Sequence, residues 1–416
     1  MANRDRKGIA AIDIGSSKIA VLLFSPEVRG ISIEGHAVVP SEGVKKGMIT
    51  DADALSEAIT AAVDEAERIS GGMITSQAVV GMGGRHLASH KSTGMIPLDK
   101  GPRKINQEDL ERVRNYSGIM RYPEGSSFLG LITRDIIVDG QRGVDKPVGM
   151  SAYRIDVRST VMSAATAQMD MCDSAVAKIG VPVTGKFANP VCAAEAVLSR
   201  EEKEWGAAVV DIGSSTTGIA LYSDRSLLRM EVLPVGSSNI SKDIAETLQI
   251  PFKQADALKM KFGAARPALK GADEVIDPVT MAVGADASVG SAVSWGELHR
   301  IIDARLYEML ENVASVLEAE GLLGRLPSGI VLTGGGSLMP YLCEYVLENL
   351  KVPAKVAKPG GEFGLPERMQ YPQMSAAAGL VKICAEMAMP MADVQPGKKE
   401  KSQGRGVRAL LKGLID

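Results

Sequence analysis

Two apolar runs open the chain, IAAIDI and IAVLLF within residues 8–25, and the polar turn Gly15-Ser16-Ser17-Lys18 between them predicts a β-hairpin. A third strand is expected over residues 31–39. Over residues 51–69 the apolar positions Leu55, Ile59, Ala62, Val63, Ala66 and Ile69 recur at helical spacing, with Thr50 and Asp53 placed as a capping-box pair. Residues 76–82 return to a strand. The pattern then breaks over residues 83–163, where Gly- and charge-rich connections surround a capped helix (106–115) and alternating strands around 129–138 and 150–157. A helix is expected over 164–179 and another over 191–198, just after Phe187-Ala188-Asn189-Pro190.

The opening recurs. Asp211-Ile212-Gly213-Ser214-Ser215 repeats Asp13-Ile14-Gly15-Ser16-Ser17 letter for letter, 198 residues later. Strands are expected over 206–212, 218–222 and 227–234, then a helix capped by Ser237 through Ile240, Ile244 and Leu248. A duplicated strand-turn-strand unit implies two similar lobes facing each other. The longest helical pattern covers 295–320, with Leu298, Ile301, Ile302, Leu306, Met309, Leu310, Val313 and Leu317 at helical spacing, and a strand follows over 329–332.

At 416 residues the chain exceeds one hydrophobic core, and 45% hydrophobic with 23% charged residues excludes a disordered or collagenous chain. A net charge of -3 and 4% aromatics argue against a nucleic-acid partner. Cys172, Cys192, Cys343 and Cys384 show no metal-ligand spacing. No apolar leader and no apolar run of membrane-spanning length is read, which points to a cytoplasmic setting.

A tight turn between strands, with Gly admitting close backbone approach and Ser supplying amides and hydroxyls, can cradle phosphate oxygens. Either turn alone reads equally well as an ordinary hairpin. Together they assign Gly15, Ser16, Ser17 and Lys18, and Gly213, Ser214, Ser215 and Thr216, to two grips on one polyphosphate. Asp13 and Asp211, at the ends of their strands, suit Mg²⁺ held through water. Gly334-Gly335-Gly336-Ser337 ends a strand and leaves room for a flat base or a phosphate. Asp256 and Lys259 share a helix face where they could bond a ribose, or could be a solvated face.

On these motifs the chain resembles the actin, heat-shock chaperone and sugar-kinase ATPase superfamily and, within it, the FtsA family of bacterial cell-division proteins. The likeness covers nearly the whole chain. GMGGRHLASHKSTGMIPL and INQEDLERV are similar to the inserted subdomain 1C that marks FtsA. The resemblance implies an α/β, actin-like two-lobed fold with duplicated ribonuclease-H-like subdomains, an inserted α+β subdomain 1C and a C-terminal amphipathic helix. The expected divisions are 1–82 with 164–198 (1A), 83–163 (1C), 199–236 with 326–389 (2A), 237–325 (2B), a linker at 390–404 and the helix at 405–416. It implies ATP with Mg²⁺, self-association into filaments, and other division proteins bound through 1C. The superfamily's ribose-binding glutamate corresponds to Asp256, one methylene shorter. No residue matches the superfamily's water-positioning group, so hydrolysis is expected to be weak or absent.

The tail carries its own signal. Lys398, Lys399, Lys401, Arg405, Arg408 and Lys412 against Glu400 and Asp416 make residues 396–416 +4 and the rest -7. Residues 390–404 read as a tether. Val407, Leu410, Leu411, Leu414 and Ile415 then form an apolar stripe flanked by Arg405, Arg408 and Lys412, the pattern of an interfacial helix on anionic lipid. Packing on the protein's own surface is the bland alternative. The resemblance also places Arg300 and Arg305 where the family receives the acidic C-terminal peptide of FtsZ, whereas spacing alone favours helix ion pairs to Glu297, Glu308 or Glu311. The expected function is an ATP-binding filament protein that tethers the FtsZ ring to the cytoplasmic face of the membrane at the septum. A PilM-like pilus-assembly adaptor and a small-molecule kinase of the same fold are the alternatives.

Overall fold

The computed structural model describes residues 6–27, 30–98, 101–267, 273–276, 293–360 and 364–388. The tether and the amphipathic helix expected at the C-terminus lie outside the described residues.

The first lobe is built on β1 (Lys7–Ile14), β2 (Lys18–Glu27), β3 (Gly30–Pro40), the short strands β4 (Val44–Lys45) and β5 (Met48–Ile49), helix α1 (Ala52–Ile69) and β6 (Ile74–Met82). Alternation of Ala10, Ile12 and Ile14 against Ile9 and Ala11 buries both faces of β1. One face meets α1, and the other meets the final described helix. The N-cap of α1 is Asp51, which accepts from the Asp53 and Ala54 amides, so the expected Thr50/Asp53 box is displaced by one residue. Thr50 bonds the Gly43 carbonyl instead.

The inserted module contains β7 (Leu87–Pro97), β8 (Arg103–Lys104), α2 (Gln107–Ser117), β9 (Ser126–Val138), β10 (Ser151–Ala152) and β11 (Arg154–Ala165). Its sheet is ordered β7-β11-β9, with α2 packed so closely on β7 that a Cβ on Gly94 would sit 2.4 Å from the Val113 carbonyl. The strand β7 escapes the periodicity because Ser and Lys interrupt it, and β11 runs to Ala165 where a helix was expected from residue 164. Chain exit is through α3 (Thr166–Ala177), then β12 (Val183–Ala188), α4 (Asn189–Val197) and α5 (Arg200–Trp205).

The second lobe follows with β13 (Ala207–Ile212), β14 (Thr217–Ser223), β15 (Ser226–Leu233), α6 (Ser237–Leu248), α7 (Phe252–Phe262), α8 (Trp295–Ala319), β16 (Ile330–Thr333), α9 (Leu342–Leu350), β17 (Ala354–Val356) and α10 (Ser375–Ala388). Gly236, not Ser237, is the N-cap of α6, with the Asn239 side chain reaching back to its amide. Among the described residues the two lobes have five-stranded sheets of the same topology. The orders β3-β2-β1-β6-β12 and β15-β14-β13-β16-β17 match strand for strand, with two antiparallel pairings followed by two parallel ones. The repeated pentapeptide is therefore the visible part of a whole repeated lobe.

Helix α4 lies between the lobes, touching β6 and β12 on one side and β13 to β16 on the other, and packs most extensively against α10. Buried Glu195 ties this junction together. It pairs with Lys203 of α5, accepts from the Tyr222 hydroxyl of β14 at 3.1 Å, and its carbonyl accepts from Lys382 of α10 at 2.8 Å.

Candidate functional site: paired phosphate turns in the interlobe cleft

Both turns close in the same way. Gly15 N–H donates to the Lys18 carbonyl at 3.0 Å and Gly213 N–H to the Thr216 carbonyl at 2.9 Å. In each, a Cβ on the glycine would meet that carbonyl, at 2.8 and 2.9 Å, so the turn is tight because the side chain is absent. Among the described residues, the amides of Ser16, Ser17, Ser214 and Ser215 make no hydrogen bond within the protein. Unpaired amides on a tight turn form a concave site for an anion.

Each turn is buttressed from behind. In the first lobe Gly47 N–H donates to Ser16 Oγ at 2.9 Å and Ser41 N–H to the Ser17 carbonyl at 3.1 Å. In the second, the first turn of α6 donates from Ser237 and Ser238 to the carbonyls of Gly213 and Ser214, at 2.9 and 2.8 Å. Gly236 makes this approach possible, since its Cβ would lie 2.6 Å from the Ser214 carbonyl oxygen.

The repeated aspartates converge at the floor of the cleft. Asp13 accepts from Asn189 Nδ2 at 2.8 Å and lies 3.5 Å from Lys18 Nζ. Burial, and next the Asp13 carboxylate, push the Asp211 carboxyl up to about 7 against the opposing pull of Lys18. Asp211 keeps a small exposed area although protein surrounds its carboxyl. This has a measurable sign. In the unfolded chain the carboxyl ionises near its ordinary 3.8, so between about pH 4 and 7 the folded protein holds a proton the unfolded chain has lost. Without ligand, stability should therefore fall as pH rises through this window. Urea unfolding at pH 5 and pH 7.5 should show the wild type losing on the order of 2 to 3 kcal/mol relative to Asp211→Asn, and an unchanged gap would refute the buried proton.

The glycine loop packs directly on this floor. Gly334 has φ +79°, and a Cβ there would lie 2.3 Å from Asp211 Oδ1, whereas Gly335 faces open space. Ser337 differs from expectation: its hydroxyl is buried and donates to the Gly334 carbonyl at 2.7 Å, holding the loop's shape. Lys259 is buried, with Nζ donating to the Ser237 carbonyl at 3.1 Å and to Asp256 at 2.9 Å. Asp256 also accepts from Ser241 at 2.6 Å. Although burial opposes it, the Ser241 and Lys259 contacts hold the Asp256 carboxyl below its usual range. These two residues are thus joined to the α6 end of the second turn.

On α8, Arg305 is engaged by Asp243 at 2.5 and 2.8 Å and by Glu308 at 2.6 Å, while Arg300 is exposed and bonds Gly296 at 3.4 Å. Asp243 was not among the partners that helix spacing offered. Residues 405–415 lie outside the described residues, and no helix among the described residues is long and apolar enough to cross a membrane. Asn189 and Gly47 are the site residues that the motifs missed. Asn189-Pro190 at a strand-to-helix junction is a visible signal for the first, and a lone Gly after two lysines gives almost none for the second.

Twin sheets, facing turns and a module inserted after β6 define an actin-like protein. Its fold resembles that of the "PilM-PilN type IV pilus biogenesis complex" (TM-score 0.62, 16% identity, 90% of this chain and 97% of that one). It also resembles MreB5 of Spiroplasma citri bound to ADP (TM-score 0.56, 12% identity, 94% and 100%). A family model for cell division protein FtsA matches residues 208–379, and a model for the SHS2 domain inserted in FtsA matches residues 84–163. The chain is 30% identical over 416 residues to cell division protein FtsA of Neisseria meningitidis, covering 99% of both. It is 30% identical over 378 residues to that of Bacillus subtilis, covering 91% of this chain and 83% of the relative. The chain belongs to the FtsA family of cell-division proteins.

Proposed function

We propose that this protein binds ATP in the interlobe cleft, assembles into filaments, and tethers the FtsZ ring to the cytoplasmic face of the membrane at the septum. The pair of matched turns with unpaired amides is the observation that carries the nucleotide reading. Gly15, Ser16 and Ser17 grip the phosphates from one side and Gly213 to Thr216 from the other, with Lys18 supplying the mobile positive charge. The open face at Gly335 receives the base, and Asp256 and Lys259 stand on the ribose side. Asp13 and Asp211 would hold Mg²⁺ through water, where the ion would supply positive charge against the phosphates. Asn189 keeps Asp13 oriented. An amide is a poor base, so slow turnover fits this floor.

The divisions at 1–82 with 164–198, 83–163, 199–236 with 326–389, and 237–325 serve as subdomains 1A, 1C, 2A and 2B, with 1C meeting other division proteins. Arg300 offers an exposed guanidinium to the acidic FtsZ peptide, and Arg305 joins by exchanging Asp243 or Glu308 for a peptide carboxylate. The tail supplies Arg405, Arg408 and Lys412 to anionic headgroups, at about 1 kcal/mol each, and Val407, Leu410, Leu411, Leu414 and Ile415 to the acyl boundary. One short helix binds marginally, so assembly multiplies the anchors. In co-sedimentation with anionic vesicles, the full chain should pellet more with Mg-ATP than without, and a chain ending at Gln395 should stay in solution. Equal retention of both forms in the supernatant would remove the membrane role.

A further inference from the structure

The hairpin of β4 and β5 touches three things at once. At its tip, Gly47 donates to Ser16 Oγ in the first phosphate turn. That same tip lies flat on Gly83 and Gly84, where the chain leaves β6 to enter the inserted module. A Cβ on Gly47 would sit 2.6 Å from Gly84 Cα, and one on Gly84 would sit 2.3 Å from the Gly47 carbonyl oxygen. At its base, Ile49 is held by the buried Gln168 of α3, whose Oε1 accepts from Ile49 N–H at 2.7 Å and whose Nε2 donates to the Ile49 carbonyl at 3.1 Å. Gln168 is three residues past the end of β11, where the chain leaves the module. The entry strand is gripped on a second side too, because Asn189, which bonds Asp13, would collide with a Cβ on Gly81 at 2.1 Å.

We infer that this hairpin couples the first phosphate turn to the inserted module, so that the phosphates bound at Ser16 set the module's orientation. The inference rests on the nucleotide reading above. Ser16 Oγ accepts from Gly47 and retains one proton to donate, and a phosphate oxygen taking that proton fixes the hydroxyl and strengthens the bond behind it. Both roots of the module bear on the hairpin, so a small displacement at Gly47 is delivered to entry and exit together. Packed backbone without intervening side chains has no slack to absorb it. The module's sheet also bears on the second lobe. Ser89 exchanges hydrogen bonds with Met230 at 2.7 and 2.9 Å, Thr160 donates to Leu227 at 2.5 Å, Ser226 donates to Arg134 at 3.0 Å, and Lys91 pairs with Glu320 at 2.6 Å. A rotation at the roots therefore slides the module across β15, turning phosphate occupancy into a changed outer surface.

Pulsed electron resonance between spin labels at Glu57→Cys on α1 and Glu108→Cys on α2 tests this, with Mg-AMPPNP as the probe and its affinity measured on the same samples. The wild-type background should show a distance shift of about 2 Å or more on binding. Gln168→Met, which keeps the volume and loses both hydrogen bonds, should bind the nucleotide with affinity within about threefold of wild type and lose the shift. Gln168→Glu, which keeps the acceptor alone, should retain part of it and covers the case in which the methionine variant folds poorly. Binding without a shift in wild type, or an undiminished shift in both variants, overturns the coupling while leaving the nucleotide reading intact. Absence of binding in wild type overturns both.

Discussion

Gly379→Ala should destabilise the protein by about 3 kcal/mol, despite alanine being the better helix former by about 1 kcal/mol. Gly379 sits where α10 crosses α4. A Cβ there would lie 1.7 Å from the Cys192 carbonyl oxygen, 2.4 Å from its carbonyl carbon and 3.0 Å from its Cα. All three are backbone, so no side chain can swing aside and the helices must separate. Separation would open the cluster of Cys192, Ala196, Ala377, Ala378, Leu380 and Val381, and would pull Lys382 from Glu195. The melting temperature should fall by about 3 to 4 °C. Gly130→Ala is the matched control: its Cβ would meet only Met162 Cε, at 3.4 Å, so its melting temperature should stay within about 2 °C of wild type. Similar melting for the two variants would show that the helix crossing is looser than its geometry.

The second large effect is on ligand binding. Lys18→Ala should weaken ATP binding by roughly 10- to 100-fold, the worth of one or two charge-assisted hydrogen bonds at about 1.5 to 3 kcal/mol. Lys18 is partly buried and is the cation nearest the Asp13 carboxylate, so its removal also leaves the paired aspartates less compensated. Lys18→Arg should recover only part of the loss, because the planar fork cannot take the ammonium's compact position in a tight turn.

The paired turns were legible because the chain writes them twice in identical letters, and the matched sheets follow from the apolar runs around them. Long helices with clear stripes, such as α1 and α8, were legible to within a few residues. What escaped depends on contacts distant in sequence. The strand β7 reads ASHKSTG and gains its place through the ladder with β11 and the bonds from Ser89 to Met230, so its own hydrophobicity carries little signal. Asp243 claims Arg305 from 62 residues away. Gly47 matters through what passes 37 residues later at Gly84, and Asn189 through a carboxylate 176 residues earlier. Caps shifted by one residue at α1 and α6 because neighbouring Asp, Ser and Gly all suit the position and the loop's approach decides among them.

Equilibrium titration of the full chain with Mg-ATP, alongside Lys18→Ala, tests the central claim most directly, since both the nucleotide reading and the coupling to the inserted module are read through the cleft. Saturable one-to-one binding in wild type, weakened at least tenfold in the variant while it remains folded, is the predicted result. No binding in wild type, or equal binding in both, would contradict the account.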